Sequence, residues 1–282
     1  MGSEGRTGRL EAGAAQLEYR WIGPPPKAAA TLVFLHEGLG CVALWKDFPD
    51  RVAEATGLGV LVYSRRGYGE SDPVELPRPL TYMHEEALEV LPEVLDAAGI
   101  RSAIMVGHSD GASIALIHAG GVRDSRVRGL VLMAPHVFNE EISVRSIRAA
   151  KEAYERGGLR DQLARYHGDN VDNAFWGWNR AWLDPGFVQW NIEEFVPRIE
   201  VPLLLIQGED DQYGTQRQVH AIRDRAPGPV ELLMLPDCRH SPHRDQSAAT
   251  LAAIRGFVEL YARPPAGEAA GAPGPQPSGT DP

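Results

Sequence analysis

The chain has 282 residues, 43% hydrophobic and 23% charged, which suits one large globular domain and excludes a low-complexity or membrane-embedded protein. A formal net charge of −10 argues against nucleic acid and anionic membrane surfaces as partners and leaves a small-molecule substrate as the expected ligand. Two cysteines, Cys41 and Cys238, are too few for a disulfide framework and read as buried free thiols.

The N-terminal stretch MGSEGRTGRLEAGAA has no apolar core of the signal-peptide kind, and Arg6 stands where a myristoylation motif needs Ser or Thr. No apolar run is long enough to span a bilayer, so the expected location is cytoplasmic. Residues 1–13 are expected to be disordered. Leu17–Ile22 reads as an early strand stopped by Pro24, Pro25 and Pro26. Thr31–Leu35 is a continuous apolar run, as in a strand buried on both faces, and His36-Glu37-Gly38-Leu39-Gly40 follows as a loop. Leu44–Thr56 has helical spacing, Val60–Tyr63 is the next strand, and Arg65–Asp72 is its loop. Thr81–Ala98 is an amphipathic helix that Pro92 must kink or split. Ala103–Val106 is a strand, and Leu130–Met133 another.

From His136 to Pro197 the β-rich pattern stops. Charged helical segments alternate with Trp176, Trp178, Trp182 and Trp190. Pro202–Gln207 and Val230–Leu235 resume the strand pattern, and Ala248–Ala262 closes as a helix. Strands alternating with helices predict an α/β class: a doubly wound, mostly parallel sheet carrying a helical insertion. The expected division is a core of residues 14–136 and 197–262, an insertion at 137–196, and a disordered Pro/Gly/Ala tail at 263–282.

Between the strand at Ala103 and the helix-like run from Ala112 stands Gly107-His108-Ser109-Asp110-Gly111. G-x-S-x-G between a strand and a helix is the pattern of a nucleophile elbow. The glycines allow a turn too tight for side chains, and Ser109 at its apex meets the positive end of a helix, which favours a developing oxyanion. A serine hydroxyl needs a base, and the base an orienting acid. In a doubly wound sheet catalytic groups collect at the carboxyl ends of strands. Of the nine histidines, His240 and His243 follow the last strand; His240 is favoured as base, with His243 structural or touching substrate. The acid is expected among Glu209, Asp210 and Asp211, just past the preceding strand. No metal motif, P-loop or other cofactor signature is present, so no cofactor is expected.

These motifs resemble the α/β-hydrolase fold family, in its proline-iminopeptidase-like and esterase-like branch, from about Leu17 to Ala262. His36-Glu37-Gly38-Leu39-Gly40 is similar to its oxyanion loop, Ser64-Arg65-Arg66-Gly67-Tyr68-Gly69-Glu70-Ser71 to its Asp-x-Arg-Gly-x-Gly-x-Ser segment, and His240-Ser241-Pro242-His243 to its histidine loop. The resemblance implies a triad in the order Ser109, Asp211, His240. Asp211 is selected because it stands three residues after Gly208. It also implies an oxyanion hole from the backbone N–H groups of Gly38 and Asp110, and a helical cap in the insertion. Three positions depart from the family pattern: Glu37 replaces a glycine, Ser64 an aspartate and Arg239 a glycine. A carboxylate aimed into an oxyanion hole would oppose catalysis, so the Glu37 side chain is expected to point away from Ser109 and to be paired elsewhere.

The expected activity is hydrolysis of a small to medium carboxylic ester, thioester or lactone. Carbon–carbon bond hydrolysis, amidase or iminopeptidase action and perhydrolysis use the same constellation, and a small-molecule receptor on this fold is the non-enzymatic reading. Candidate pocket residues are Leu39, Trp176, Trp178, Trp182 and His243, and Arg145, Arg148 and Arg180 are the candidates for a carboxylate clamp. The oligomeric state is not encoded in any motif.

Overall fold

Strands hidden on both faces need apolar residues at nearly every position, and four segments meet that condition. Thr31–Leu35, Val60–Tyr63, Ala103–His108 and Leu203–Gly208 are buried throughout. The computed structural model describes residues 5–26 and 29–262. Its strands are β1 (Arg6–Ala12), β2 (Ala15–Ile22), β3 (Thr31–Leu35), β4 (Val60–Tyr63), β5 (Ala103–His108), β6 (Val127–Met133), β7 (Leu203–Gly208) and β8 (Val230–Leu235). They form one sheet in the order β1-β2-β4-β3-β5-β6-β7-β8. Pairings from β4 through β8 are parallel, whereas β1–β2 and β2–β4 are antiparallel.

The helices are α1 (Phe48–Thr56), α2 (Leu91–Ala97), α3 (Asp110–Gly121), α4 (Glu141–Arg156), α5 (Leu159–His167), α6 (Val171–Leu183), α7 (Arg217–Arg223) and α8 (Ser247–Tyr261). The period-2 alternation of strand side chains divides the core into two layers. Val33 and Leu35 of β3 pack with α2 and α3, while Leu32 and Phe34 pack with α1 and α8. Between β6 and β7 the chain leaves the sheet to build α4, α5 and α6, where Tyr154 of α4 stacks on Phe175 of α6 with ring centroids 3.6 Å apart. Among the described residues no helix is long and apolar enough to cross a membrane.

Two expectations change. The N-terminal segment expected to be disordered holds β1: Arg6–Ala12 pairs with β2 through a tight Gly13-Ala14 turn in which both residues have positive φ, 59° and 53°. An edge strand needs apolar residues on one face only, and Leu10 and Ala12 supply them. The helix expected over Leu44–Thr56 is a 3-10 turn, Val42–Trp45, followed by α1. The helix over Thr81–Ala98 is split, as expected, into Tyr82–Glu85, a π turn at Glu86–Val90, and α2. Pro92 lacks an N–H and sits in the first turn of α2, where none is needed. The tail expected at 263–282 lies outside the described residues.

Candidate active site

β5 ends in the elbow, and its geometry follows from the two glycines. A Cβ on Gly107 would stand 2.6 Å from Ala112 Cα, and one on Gly111 would stand 2.0 Å from the Leu35 carbonyl oxygen. With both absent, the chain reverses at Ser109, whose φ of 52° and ψ of −117° lie in a region side chains rarely occupy. The Ser109 N–H donates to the Met133 carbonyl at 2.9 Å, and its own carbonyl accepts from the N–H of Ala112 and of Ser113. The side chain thus stands at the N-terminus of α3, 7% exposed.

The loops after β7 and β8 bring the other two groups to it. Both Asp211 carboxylate oxygens lie 2.9 Å from His240 Nδ1. A carboxylate only accepts, so Nδ1 carries the proton and Nε2 is free to accept from the Ser109 hydroxyl, 2.9 Å away. Asp211 Oδ1 also accepts from the Tyr213 N–H at 2.7 Å, and Oδ2 from Gln207 Nε2 at 2.8 Å. Burial pushes the Asp211 carboxyl up, but the charge and hydrogen bond of His240, the Tyr213 N–H and His136 outweigh it and hold it below the usual carboxylate range. Glu209 and Asp210 are exposed, and neither is hydrogen-bonded to the imidazole.

The loop His36–Gly40 is held from behind. Arg65, 1% exposed, donates to the His36 carbonyl at 2.5 Å and to the Glu37 carbonyl at 3.1 Å. These bonds fix the peptide planes preceding Gly38. Among the described residues the N–H groups of Gly38 and Asp110 donate to no protein acceptor, and Asp110 N–H is one of the orphan donors of α3. Glu37 Oε2 lies 3.4 Å from His108 Nδ1, and no hydrogen bond joins it to Ser109. His108 Nε2 in turn donates to the His240 carbonyl at 2.7 Å, so the elbow histidine braces the histidine loop.

A cavity of about 170 Å³ opens above Ser109. Gly38, Leu39, Ser109, Asp110, Trp178, Trp182 and His240 all contribute to its wall, with Asp211 behind His240. Two expected pocket residues do not. Trp176 packs on Tyr154 and Phe175 with Arg180 across its ring. His243, 4% exposed, is wedged between Trp45, Phe48 and His108. The reason is helical geometry: positions 178 and 182 share a face of α6, and 176 turns away from it. None of Arg145, Arg148 and Arg180 reaches the cavity wall.

Sequence reasoning missed His136, Ser143, Ile147 and Tyr213, which also line the cavity. Strand position would have found two of them, since His136 follows β6 and Tyr213 follows β7. His136 packs on Trp182 and His240, with centroids 5.4 and 5.6 Å apart. Burial first, then the His240 charge, push its pKa down to about 3, so it is a neutral imidazole at neutral pH. The insertion and the elbow are joined by a buried chain: Trp182 Nε1–H donates to Tyr82 Oη at 3.1 Å, and Tyr82 Oη–H to Asp110 Oδ2 at 2.5 Å. Burial raises the Asp110 carboxyl above its ordinary value. Cys41 and Cys238 are buried free thiols that burial pushes up to about 12 and about 11.

The model of the alpha/beta hydrolase family matches residues 32–254, most of the chain. The chain belongs to the alpha/beta hydrolase family. It is accordingly an enzyme, a hydrolase. It is 26% identical over 206 residues to a non-heme chloroperoxidase of Streptomyces lividans, covering 63% of this chain and 71% of that protein. It is 24% identical over 215 residues to a bifunctional esterase/perhydrolase of Acinetobacter calcoaceticus, covering 65% of this chain and 75% of that protein. The fold is similar to that of a serine hydrolase from the hydrocarbon-degrading bacterium Cycloclasticus zankles. The TM-score there is 0.73 at 19% identity, over 90% of this chain and 98% of that one.

Proposed function

We propose that this alpha/beta hydrolase is a serine esterase that cleaves small to medium carboxylic esters, thioesters or lactones through an acyl-enzyme on Ser109. The observation that carries this reading is the chain from Ser109 Oγ to His240 Nε2 and from His240 Nδ1 to Asp211, both hydrogen bonds 2.9 Å long, on the floor of the cavity. The substrate carbonyl lies with its oxygen toward the free N–H groups of Gly38 and Asp110. Ser109 Oγ attacks the carbonyl carbon as its proton passes to His240 Nε2, and Asp211 stabilises the imidazolium. The tetrahedral oxyanion collapses, His240 gives its proton to the leaving alcohol or thiol, and the acyl group stays on Ser109. Water then repeats the sequence: it adds to the acyl carbon, its proton goes to His240, and that proton returns to Ser109 as the acid departs. The two N–H groups contribute on the order of 10²–10³-fold each to such a step.

A cavity of about 170 Å³ walled by Trp178, Trp182, Ile147 and Leu39 suits short aliphatic or aromatic groups better than long acyl chains. The test is a series of 4-nitrophenyl esters of increasing acyl length, with Ser109→Ala as the blank. Rates are expected to peak at short chains and to vanish in the variant. A steady rise toward long chains, with activation at an interface, refutes the size assignment. Activity retained in Ser109→Ala refutes the nucleophile.

A further inference from the structure

Acyl transfer by Ser109, His240 and two backbone N–H groups leaves one charged group of the cavity without a task. Glu37 precedes Gly38, belongs to the cavity wall, and keeps 21% of its side chain accessible. Its Oε2 faces His108 Nδ1 at 3.4 Å, and among the described residues no hydrogen bond ends on Oε1. Burial would raise this carboxyl, but the contact with His108 and the charges of Arg244 and His243 outweigh it and hold it well below its ordinary value. Glu37 is therefore a carboxylate at neutral pH. No cationic side chain in the wall offsets it toward the cavity. Arg65 spends its N–H groups on the carbonyls behind the oxyanion loop, and Arg244 donates to the Leu44 carbonyl. The other acidic residue of the wall, Asp110, is 1% exposed with Oδ2 occupied by Tyr82.

A fixed negative charge next to an oxyanion hole opposes the charge that develops there. Such a group contributes to turnover only if part of the substrate compensates it in the transition state. We propose that Glu37 is a specificity-determining residue, selecting substrates that set a hydroxyl or ammonium group beside the scissile carbonyl and rejecting those that set a carboxylate there. The inference rests on the serine esterase reading and adds the substrate class to it. Oε2 is turned toward His108 Nδ1, and Oε1 is left for the ligand.

Two matched series test it, one varying each half of the ester. The first is ethyl butanoate, ethyl hydrogen succinate and ethyl 3-aminopropanoate, followed by acid release. The second is methyl 4-acetoxybenzoate, 4-acetoxybenzoate and 4-(aminomethyl)phenyl acetate as its ammonium salt. In at least one series the wild-type kcat/KM for the carboxylate member is expected to fall about tenfold or more below the neutral one, with the ammonium member at least equal to it. Glu37→Gln is expected to bring the carboxylate member to within about twofold of the neutral one. Should that variant not fold, Glu37→Asp, which keeps the charge and withdraws it by one methylene, is expected to shrink the ratio without abolishing it. Equal use of neutral and carboxylate esters by the wild type in both series overturns the proposal. So does a Glu37→Gln or Glu37→Asp variant that slows all members alike and leaves the ratio unchanged. Failure of the esterase reading looks different: no neutral ester is turned over, and Ser109→Ala changes nothing.

Discussion

A Cβ on Gly38 would stand 2.2 Å from both Cδ1 and Nε1 of Trp178, so the glycine is required by the insertion and not by its own backbone, whose φ is not positive. Gly38→Ala is expected to push the proposed oxyanion loop off its position and lower kcat on the order of 10²-fold or more while the protein stays folded. Adding Trp178→Ala opens that space, and the double variant is expected to recover part of kcat. A double variant no better than the single one would mean that the steric account is wrong. For the proposed triad, Ser109→Ala and His240→Ala are expected to reduce kcat to the same small residual, and their combination to cost little more. Asp211→Asn is expected to cost less than His240→Ala, and Asp210→Asn almost nothing, because Asp210 is exposed and Asp211 contacts the imidazole. A large loss in Asp210→Asn alone would show the acid to be misassigned. These residues were legible because tight turns demand glycine and strand ends collect catalytic groups. Glu37 was legible only as an anomaly: its partner, His108, is 71 positions away, and nothing in the local pattern names it.

At the scale of elements, the placement of the insertion depends on one buried amide. Gln218 of α7 accepts from the Val137 N–H at 2.8 Å and donates to the Phe138 carbonyl at 3.0 Å and to Glu140 at 2.8 Å. Glu140 also accepts from the N–H and hydroxyl of Thr215, at 2.9 and 2.7 Å, in the loop that holds Asp211. The start of the insertion and the acid loop are thus joined through a residue that is 0% exposed. Gln218→Leu keeps the volume and strands the Val137 N–H and the Phe138 carbonyl. The expected cost is about 2–4 kcal/mol of unfolding free energy, measured by chemical denaturation. A loss within about 0.5 kcal/mol would show that these groups find other partners. The sequence did not announce this joint, since Gln218 reads as an ordinary polar helix position and its partners lie some 80 residues earlier. The missed strand β1 has the opposite cause. Its signal is local, but an edge strand buries only alternate residues, and Arg6, Thr7 and Arg9 made it resemble a polar tail. The parallel strands were plain for the converse reason, being apolar at nearly every position.

The whole molecule carries an acid sensitivity that its histidines determine. His36, His136 and His243 are 0%, 2% and 4% exposed. Burial is the largest cause that lowers each, with Arg65 adding to it at His36, His240 at His136, and His108 at His243. Their folded values lie below the unfolded one, so the stability linked to them is fully present above about pH 6.5 and is lost as pH falls toward the folded values. For His136 that window reaches down to about pH 3. In it the unfolded chain binds one more proton per histidine, and each contributes a slope of up to about 1.4 kcal/mol per pH unit. The depressed carboxylates, Glu37, Asp124 and Asp211 among them, add losses only below the ordinary carboxylate range. Asp110 and Glu86, whose values burial raises, oppose the trend by taking up protons in the folded state. Between about pH 6.5 and pH 5 the histidines therefore decide the sign. Unfolding free energy from urea titrations is expected to be level from pH 8 to pH 7 and to fall by several kcal/mol by about pH 5. His243→Phe keeps the packing against Trp45 and Phe48 and removes one titrating group, so its slope is expected to be shallower by about one proton. A wild-type stability that stays level down to pH 5, or a His243→Phe slope equal to it, would contradict the assignment.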